Sequence, residues 1–290
     1  MMTIRETLAE GSAALAAAGI ENPGLDASLL LAEVLKTSRS SLIAAASEPL
    51  TEASRAAFDQ FIKRRLAGEC TAYILGRKEF YGLDFQVNPA VLVPRPDTET
   101  LVEAAVRQIT NNNEQLVNRA QFRVLDLCTG SGAIAIALKH AMPELEIWAT
   151  DISAEALEVA RANAGRLLPS ETIHFCCGDL FDAVSQGSGL FHMIISNPPY
   201  VPAAEITGLS PEVRGEPMLA LDGGGDGLDI IRSIISRAPE FLYSGGSLLL
   251  EADPRQMQRI ASLLLQAGFT AIQTNKDLSG KERVIGGKKP

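Results

Sequence analysis

The chain has 290 residues, of which 46% are hydrophobic and 21% charged, a balance typical of a folded protein that buries a sizeable core. Its net charge of −9 and sequence pI of about 5.0 argue against a protein that grips nucleic-acid phosphates through a basic face. With no apolar run near about 18 residues and no apolar core in the N-terminal MMTIRETLAEG, we expect neither a membrane span nor a signal peptide.

The cysteines and histidines do not follow the spacing of a metal site. The four cysteines, Cys70, Cys128, Cys176 and Cys177, contain no CxxC pair, and the three histidines are isolated from one another. We therefore expect a reduced, cytoplasmic protein without structural disulfides or a bound metal.

Residues 1–72 are predicted to form a small helical bundle. One helix is expected over Thr3–Ala18, and a second starts at Pro23 after the capping residue Asn22. A short helical piece follows over Arg39–Ala46, and an amphipathic helix begins at Thr51. None of these segments carries a catalytic pattern, so the bundle is interpreted as a packing or partner-binding domain.

Residues 73–98 are predicted to link this bundle to a second domain. The stretch EFYGLDFQVNPAVLVPRPDTE alternates apolar and polar residues around Asn88-Pro89, which indicates a β-hairpin. A helix over Thr98–Ile109 would then open the second domain, residues 99–290.

The second domain alternates strands and helices. Helices are predicted over Ala133–His140, Ala154–Arg166 and Leu228–Phe241. Strands are predicted over Arg123–Cys128, Glu146–Thr150, Thr172–Cys177, Phe191–Asn197, Gly246–Glu251, Thr270–Thr274 and Glu282–Ile285. The spacing predicts an α/β fold, Rossmann-like, with a mainly parallel sheet of seven strands. Because only a few residues join the last two strands, these two must pair antiparallel as a C-terminal hairpin.

The first strand of this sheet leads directly into a glycine-rich loop with the sequence DLCTGSGAI. Gly130 and Gly132 would let the backbone approach a ligand closely, and the helix beginning at Ala133 would offer free N–H groups. The sequence GSGAIA also fits a loose form of the dinucleotide-binding glycine motif, so the loop by itself does not identify the cofactor.

Acidic residues follow the second and third strands at the same edge of the sheet. Asp151 can accept hydrogen bonds from both hydroxyls of a ribose, or it can cap the next helix. Asp179 can accept from an adenine amino group beside an apolar wall of Leu180 and Phe181, or it can cap a turn. This arrangement suits an adenosine moiety, carried by either a nicotinamide dinucleotide or S-adenosylmethionine.

The fourth strand ends in the tetrad Asn197-Pro198-Pro199-Tyr200. A planar NH2 group has two N–H donors and a delocalised, poorly nucleophilic lone pair. The Asn197 side-chain oxygen and the Pro198 carbonyl can accept both hydrogens and turn that lone pair towards a methyl donor. Two prolines hold the backbone extended without a competing N–H, and Tyr200 offers a flat face to a flat group. The tetrad therefore favours S-adenosylmethionine and a planar nitrogen acceptor, although a proline-rich turn would also use these residues.

With NPPY after the fourth strand and DLCTGSG after the first, the chain resembles class I methyltransferases that act on planar nitrogens. More narrowly, it is similar to the HemK/PrmC protein methyltransferases, which modify the glutamine of the GGQ motif in class I peptide-chain release factors. The similarity covers nearly the whole chain, through YILG, EFYGLDFQV, VLVPRPDTETLVE, ALDGGGDGLDIIR and DLSGKERVIGG. The PRPDTE segment separates this family from the related ribosomal-protein glutamine methyltransferases.

The resemblance also implies the site residues and the partner. Contacts with S-adenosylmethionine are implied for Gly130, Ser131, Gly132, Ala133, Ile134, Asp151, Asp179, Leu180 and Asn197. The tetrad is implied to hold the glutamine amide, with Asn197, Pro198 and Tyr200 as catalytic residues and Pro199 as a substrate contact. The N-terminal bundle would help to bind the release factor. We expect a monomer that binds neither nucleic acid nor membranes directly.

Two positions depart from the usual pattern of the family. Leu180 occupies a position where some relatives carry an aromatic residue, which would weaken stacking on adenine. Ala252 follows Glu251 where relatives usually have glycine, which alters a loop near the site.

The glycine run Gly223–Gly227 lacks the Lys-Ser/Thr of a phosphate loop and is predicted to be a mobile loop near the substrate.

Three other functions are alternatives to the protein methyltransferase that the sequence resembles. An N6-adenine methyltransferase acting on DNA or RNA would use the same tetrad, but the acidic balance disfavours it. An NAD-dependent oxidoreductase lacks a supporting Tyr-x-x-x-Lys pair or an acid/base histidine. A non-catalytic module that keeps the cofactor pocket is disfavoured by the intact tetrad.

Overall fold

A computed structural model describes residues 2–111, 122–170, 172–184 and 189–290. The chain divides into two units. The first comprises the chain up to Arg77 together with Ser210–Gly215, and the second comprises Lys78–Leu209 and Glu216–Pro290. The domain boundaries that the sequence places at residues 72 and 98 stay a prediction.

The first unit is a bundle of short helices. Its members are α1 (Ile4–Ala17), α2 (Pro23–Val34), α3 (Arg39–Ala44), α4 (Glu52–Leu66) and α5 (Thr71–Leu75), with α10 (Pro211–Arg214) from later in the chain. Thr3 and Thr51 cap α1 and α4 through their hydroxyls, as their positions before apolar periodic segments predict. The predicted helices are confirmed with small shifts at their ends, whereas α5 was not predicted.

A buried ion group joins three helices of the first unit. Arg65 has only 3% of its side chain exposed and donates to Asp26 Oδ2 at 2.7 Å. Its guanidinium also pairs with Glu212 of α10. A buried guanidinium needs such partners because its desolvation is costly.

The predicted hairpin around Asn88-Pro89 is wrong in position. Strands β1 (Arg77–Phe80) and β2 (Leu83–Gln86) pair across a tight turn at Tyr81-Gly82, where both residues have positive φ. The segment after β2 is not a strand. Its prolines lack the N–H that a strand ladder requires, so the alternating pattern around Pro89 does not indicate a sheet.

The sheet of the second unit has the predicted seven strands. They are β3 (Arg123–Leu127), β4 (Glu146–Asp151), β5 (Ile173–Cys177), β6 (Phe191–Ser196), β7 (Leu242–Glu251), β8 (Thr270–Lys276) and β9 (Glu282–Lys288). Their order is β5-β4-β3-β6-β7-β9-β8. Strands β3 to β7 pair in parallel, and β9 pairs antiparallel with both β7 and β8, which confirms the C-terminal hairpin.

Helices accompany these strands along the second unit. They are α6 (Pro96–Asn111), α7 (Ala133–Ala141), α8 (Ala154–Leu167), α9 (Ala203–Ile206), α11 (Asp229–Phe241) and α12 (Met257–Gln266). Helix α12 was not predicted, although Met257, Ile260 and Leu264 are buried at the spacing of a single helix face. None of the helices in the described ranges has both the length and the apolar character needed to cross a membrane.

The sheet separates two apolar cores, and β3 contributes to both of them. Val124 packs in the core that contains residues of α6 and α7, whereas Leu125 and Leu127 pack in the core beneath α11 and α12. Because side chains alternate along a strand, Asp126 points to the same side as Val124. An acidic residue is thus built into the buried centre of the sheet.

Candidate active site

A cavity of about 400 Å³ lies at the carboxyl ends of β3, β4, β5 and β6. The strand order reverses between β3 and β6, and such a switch point is where open α/β sheets bind ligands. The volume falls in the range of about 300–1,000 Å³ that small-molecule sites occupy. The site that the sequence predicted at the strand ends therefore coincides with a formed cavity.

The structure brings most of the predicted site residues to this cavity. The predicted residues in its wall are Gly130, Ser131, Ala133, Ile134, Asp151, Asp179, Leu180, Asn197 and Pro199. Gly132, Pro198 and Tyr200 lie in the same loops but are not among the wall residues. The wall also contains the unpredicted segments Pro89–Leu92 and Pro217–Ala220.

The two glycines of the loop after β3 have different structural roles. Both have positive φ, +56° at Gly130 and +81° at Gly132. A Cβ built at Gly132 would lie 2.9 Å from Ile136 Cδ1 and 3.2 Å from Ala160 Cβ, so this glycine lets α7 and α8 pack closely. A Cβ at Gly130 would meet nothing within 4 Å, which leaves open space for a ligand beside the backbone.

Asp151 fixes the glycine loop from the end of β4. Its Oδ2 accepts from the Gly130 N–H at 2.8 Å, and its Oδ1 accepts from the Ser153 N–H at 2.9 Å. Burial raises the pKa of Asp151, and the backbone donors oppose that rise. The cap of α8 is Ser153, which accepts from Ala156 N–H, so the helix-cap alternative for Asp151 is wrong.

The loop after β5 supplies one exposed acid and one half-buried apolar side chain. Asp179 makes no side-chain capping bond to the 3₁₀ turn Leu180–Ala183, so the turn-cap alternative is not observed. Leu180 has a φ of +47°, which is uncommon for leucine, and packs against the core beneath α11. An exposed carboxylate beside an apolar wall suits a flat heterocycle with an amino group.

Asn197 at the end of β6 is oriented by a residue of α6. Its Nδ2 donates to Thr98 Oγ1 at 3.2 Å, and Thr98 is only 4% exposed. Since the amide nitrogen has a partner inside the protein, the oxygen is the atom that can accept from a ligand. Ser196 Oγ donates to the Leu127 carbonyl at 2.7 Å and ties this strand end to β3.

Tyr200, the last residue of the tetrad, contacts Glu251 and Gln256, neither of which is a cavity wall residue. The Tyr200 hydroxyl lies 3.4 Å from Glu251 Oε1, and burial raises the pKa of this tyrosine. The Tyr200 carbonyl accepts from Gln256 Nε2 at 3.0 Å. Gln256 also donates to the Gly227 carbonyl at 3.3 Å. The loop that departs from the family pattern after Glu251 therefore supports the tetrad directly.

The glycine run packs against the tetrad. A Cβ at Gly227 would lie 2.3 Å from the Tyr200 carbonyl oxygen, and one at Gly223 would lie 2.8 Å from Tyr200 Cα. Backbone hydrogen bonds join Val201 to Leu221 and Gly223 at 3.0 and 2.9 Å. The mobility that the sequence predicts for this run stays a prediction. Gly223 and Gly227 are required because a Cβ at either position would collide with backbone atoms of Tyr200.

Two buried acids next to the site were missed from the sequence. Asp126 is fully buried, accepts from the Thr129 hydroxyl at 2.6 Å, and has its pKa raised to about 7 by burial. Glu251 is 1% exposed, and burial also raises its pKa to about 7. The sequence does contain a signal for these two residues, because each is an acid within an apolar strand, RVLDL or SLLLE, where burial of a charged group is costly.

No cluster of His, Cys, Asp and Glu suited to a metal ion occurs within the described parts of the chain.

Comparisons with known proteins identify the family. The model of the PrmC N-terminal domain matches residues 6–76, and that of the methyltransferase small domain matches residues 111–209. A release factor glutamine methyltransferase of Moorella thermoacetica is 41% identical over 283 residues, which is 97% of each chain. That of Bradyrhizobium diazoefficiens is 44% identical over 287 residues, 98% of this chain and 93% of the other. This chain belongs to the release factor glutamine methyltransferases.

The solved structures agree in fold. A T. thermophilus 16S rRNA methyltransferase in complex with AdoMet and guanosine matches with a TM-score of 0.54 and 18% identity, over 74% of this chain and 50% of the other. The predicted family, the predicted fold and the assignment as a methyltransferase are confirmed. The dinucleotide-dependent oxidoreductase and the non-catalytic module are excluded as descriptions of this family.

Proposed function

We propose that this protein methylates the side-chain amide nitrogen of the glutamine in the GGQ motif of class I peptide-chain release factors, and thereby supports translation termination. The observation that carries the proposal is the Asn197 carboxamide at the cavity wall, with its nitrogen occupied by Thr98. The membership of the chain in its family supports the same acceptor.

The donor side of the cavity fits S-adenosylmethionine. The open space beside Gly130 admits a ligand against the backbone, and Asp151 keeps acceptor capacity for ribose hydroxyls beyond its two backbone partners. Asp179 and Leu180 would face the adenine, one as an acceptor and one as an apolar surface. Ser131, Ala133 and Ile134 complete the wall. When bound, the sulfonium supplies an activated methyl group.

The acceptor side works by alignment. The Asn197 oxygen and the Pro198 carbonyl would each accept one N–H of the glutamine amide, which holds the amide plane and directs the nitrogen lone pair at the methyl carbon. Because the methyl group is already activated, the nitrogen needs no strong base and releases its proton after transfer. Positioning of this kind is worth up to about 7–11 kcal/mol. Pro199 and Tyr200 would enclose the carboxamide, with Tyr200 fixed by its contact to Glu251.

The proposal also covers the protein partner, the oligomeric state and the cellular location. The described residues of the cavity wall all belong to the second unit. We assign to the helical bundle of the first unit the binding of the release factor. We further propose that the protein acts as a cytoplasmic monomer, and that it has no direct contact with nucleic acid.

The test is methylation with labelled S-adenosylmethionine. The purified protein is incubated with a class I release factor, with the same factor carrying alanine in place of the GGQ glutamine, and with DNA and RNA oligonucleotides. We expect a single methyl on that glutamine, located by mass spectrometry, and none on the other three. Equal labelling of the alanine-substituted factor would refute the acceptor, and labelled adenine would support the N6-adenine alternative.

A further inference from the structure

We propose that Met218 and Leu219, here called the apolar rim, form the docking surface for the release-factor segment that flanks the acceptor glutamine. Both residues belong to the cavity wall, and both are exposed to solvent. This inference rests on the proposed function, because it takes a release factor as the protein substrate. It adds the place at which the polypeptide of that substrate packs.

The exposure of the apolar rim places it where the cavity opens to solvent. Met218 is 55% exposed and Leu219 is 67% exposed, whereas Thr98 and Ser131 in the same wall are 4% and 3% exposed. In the part of the chain that the structure describes, no other two consecutive large apolar residues are exposed. Single exposed apolar residues are ordinary, but a pair beside a binding cavity indicates an interaction surface.

The backbone holds the apolar rim in a fixed position. Met218–Ala220 is a 3₁₀ turn, and the Ala220 N–H donates to the Pro217 carbonyl at 2.9 Å. Glu216, just before this turn, is 5% exposed and accepts from Arg95 Nη2 at 2.5 Å. A surface that is ordered before a partner arrives loses little conformational entropy when the partner docks.

The chain after the turn is joined to the acceptor side of the cavity. Val201, the residue that follows the tetrad, forms a parallel bridge with Asp222. The Val201 N–H donates to the Leu221 carbonyl at 3.0 Å, and the Val201 carbonyl accepts from the Gly223 N–H at 2.9 Å. These bonds keep the apolar rim close to the tetrad.

The occupant that we assign to the apolar rim is the loop of the release factor that carries the acceptor glutamine. A glutamine whose amide is held by Asn197 and Pro198 is part of a polypeptide, so the residues on either side of it must cross the opening of the cavity. The other large exposed apolar residue of the described wall, Ile152, follows Asp151 and lies on the donor side. The apolar rim is therefore the apolar surface that the flanking chain meets.

Docking on the apolar rim should affect binding of the acceptor protein rather than methyl transfer. Full burial of a leucine or methionine side chain changes an affinity by roughly 10- to 150-fold. Because the same contact is made before and during transfer, its loss should raise KM and leave kcat nearly unchanged. The contact is apolar, so salt should not screen it.

The test is steady-state methylation of a class I release factor by full-length variants. Leu219→Ser should raise KM for the release factor at least tenfold and lower kcat less than threefold, at both low and high salt. Leu219→Met, which keeps an apolar side chain of similar size, should stay within threefold of the parent KM. The Kd for S-adenosylmethionine and the urea-unfolding curve should match those of the parent in both variants.

Leu265→Ser is the matched control, since Leu265 is 64% exposed on α12 and is not in the cavity wall. It should keep the parent KM. A parent-like KM in Leu219→Ser, or an equal rise in Leu265→Ser, would overturn the docking role. A rise in the Kd for S-adenosylmethionine in Leu219→Ser as large as the rise in KM would do the same, because it would assign the apolar rim to the cofactor.

Sedimentation of the parent and of Leu219→Ser tests a second copy of this chain as the occupant. We expect the two proteins to sediment alike. A parent dimer that Leu219→Ser disrupts, with KM unchanged, would overturn the assignment to the release factor. All these outcomes are separate from failure of the proposed function, which would appear as absence of glutamine methylation by the parent protein itself.

Discussion

Asp151 Oδ2 accepts a hydrogen bond from the Gly130 N–H at 2.8 Å, so the end of β4 holds the glycine loop that follows β3. The same carboxylate accepts from Ser153, lines the cavity and has further lone pairs that can accept from a ligand. One side chain thus shapes the loop and offers acceptors to a ligand. Removal of the Asp151 side chain should therefore weaken the binding of the methyl donor.

Replacement of Asp151 by alanine should weaken binding of S-adenosylmethionine. Removal of charge-assisted hydrogen bonds costs about 1.5–3 kcal/mol, which corresponds to roughly a 10- to 150-fold rise in Kd. Asp151→Asn, which keeps one acceptor oxygen, should show a smaller rise. Calorimetric titration measures both, and a Kd for Asp151→Ala equal to that of the parent would contradict the assignment.

A side chain at Gly227 should displace the backbone of Tyr200 and so disturb the tetrad. A Cβ there would lie 2.3 Å from the Tyr200 carbonyl oxygen, at a φ of +75° that disfavours alanine. Gly227→Ala should therefore lower the free energy of unfolding by about 1–3 kcal/mol and reduce kcat. Gly225→Ala is the matched control, because its Cβ would meet nothing within 4 Å. Equal urea-unfolding curves and equal kcat for the two variants would show that the close packing is unimportant.

The buried acids should make stability depend on pH near neutrality. Burial raises the pKa of Glu251 from 4.5, and that of Asp126 from 3.8, to about 7. Between these values the folded chain keeps protons that the unfolded chain has released, so stability falls as pH rises from about 4 to 7 and then levels off. Acids with a lowered pKa, such as Asp226, act in the opposite sense at lower pH.

Glu251→Gln isolates this effect, since glutamine imitates the neutral acid at every pH. The variant should match the parent in unfolding free energy at about pH 4 and exceed it at about pH 8. Urea unfolding at the two pH values measures the difference. A constant gap between variant and parent across this range would contradict the raised pKa of Glu251.

The order of elements in the second unit was predictable because each strand is a short apolar run that ends at glycine, acid or asparagine. Asp151 and Asn197 could be placed at one edge since parallel strands bring their carboxyl ends together. The hairpin turn was misplaced because Tyr81-Gly82 is a less obvious turn signal than Asn88-Pro89. Prolines in the later segment line the cavity.

The support behind the site was not predictable, because it depends on contacts distant in sequence. Thr98 and Asn197 are 99 residues apart, and Tyr200 and Gln256 are 56 apart. No local pattern indicates that Gln256 will hold the Tyr200 carbonyl, or that Gly227 will pack against it. These pairings arise only when β6, β7 and α6 come together in three dimensions.

The central claim is that Asn197 aligns the acceptor amide, and single-turnover methyl transfer by Asn197→Ala tests it most directly. With S-adenosylmethionine bound at saturation, the account predicts a loss of at least about 1,000-fold in the transfer rate, because positioning worth several kcal/mol is removed. The Kd for S-adenosylmethionine should stay within a few-fold of the parent value. A transfer rate within tenfold of the parent, with the cofactor bound, would contradict the account.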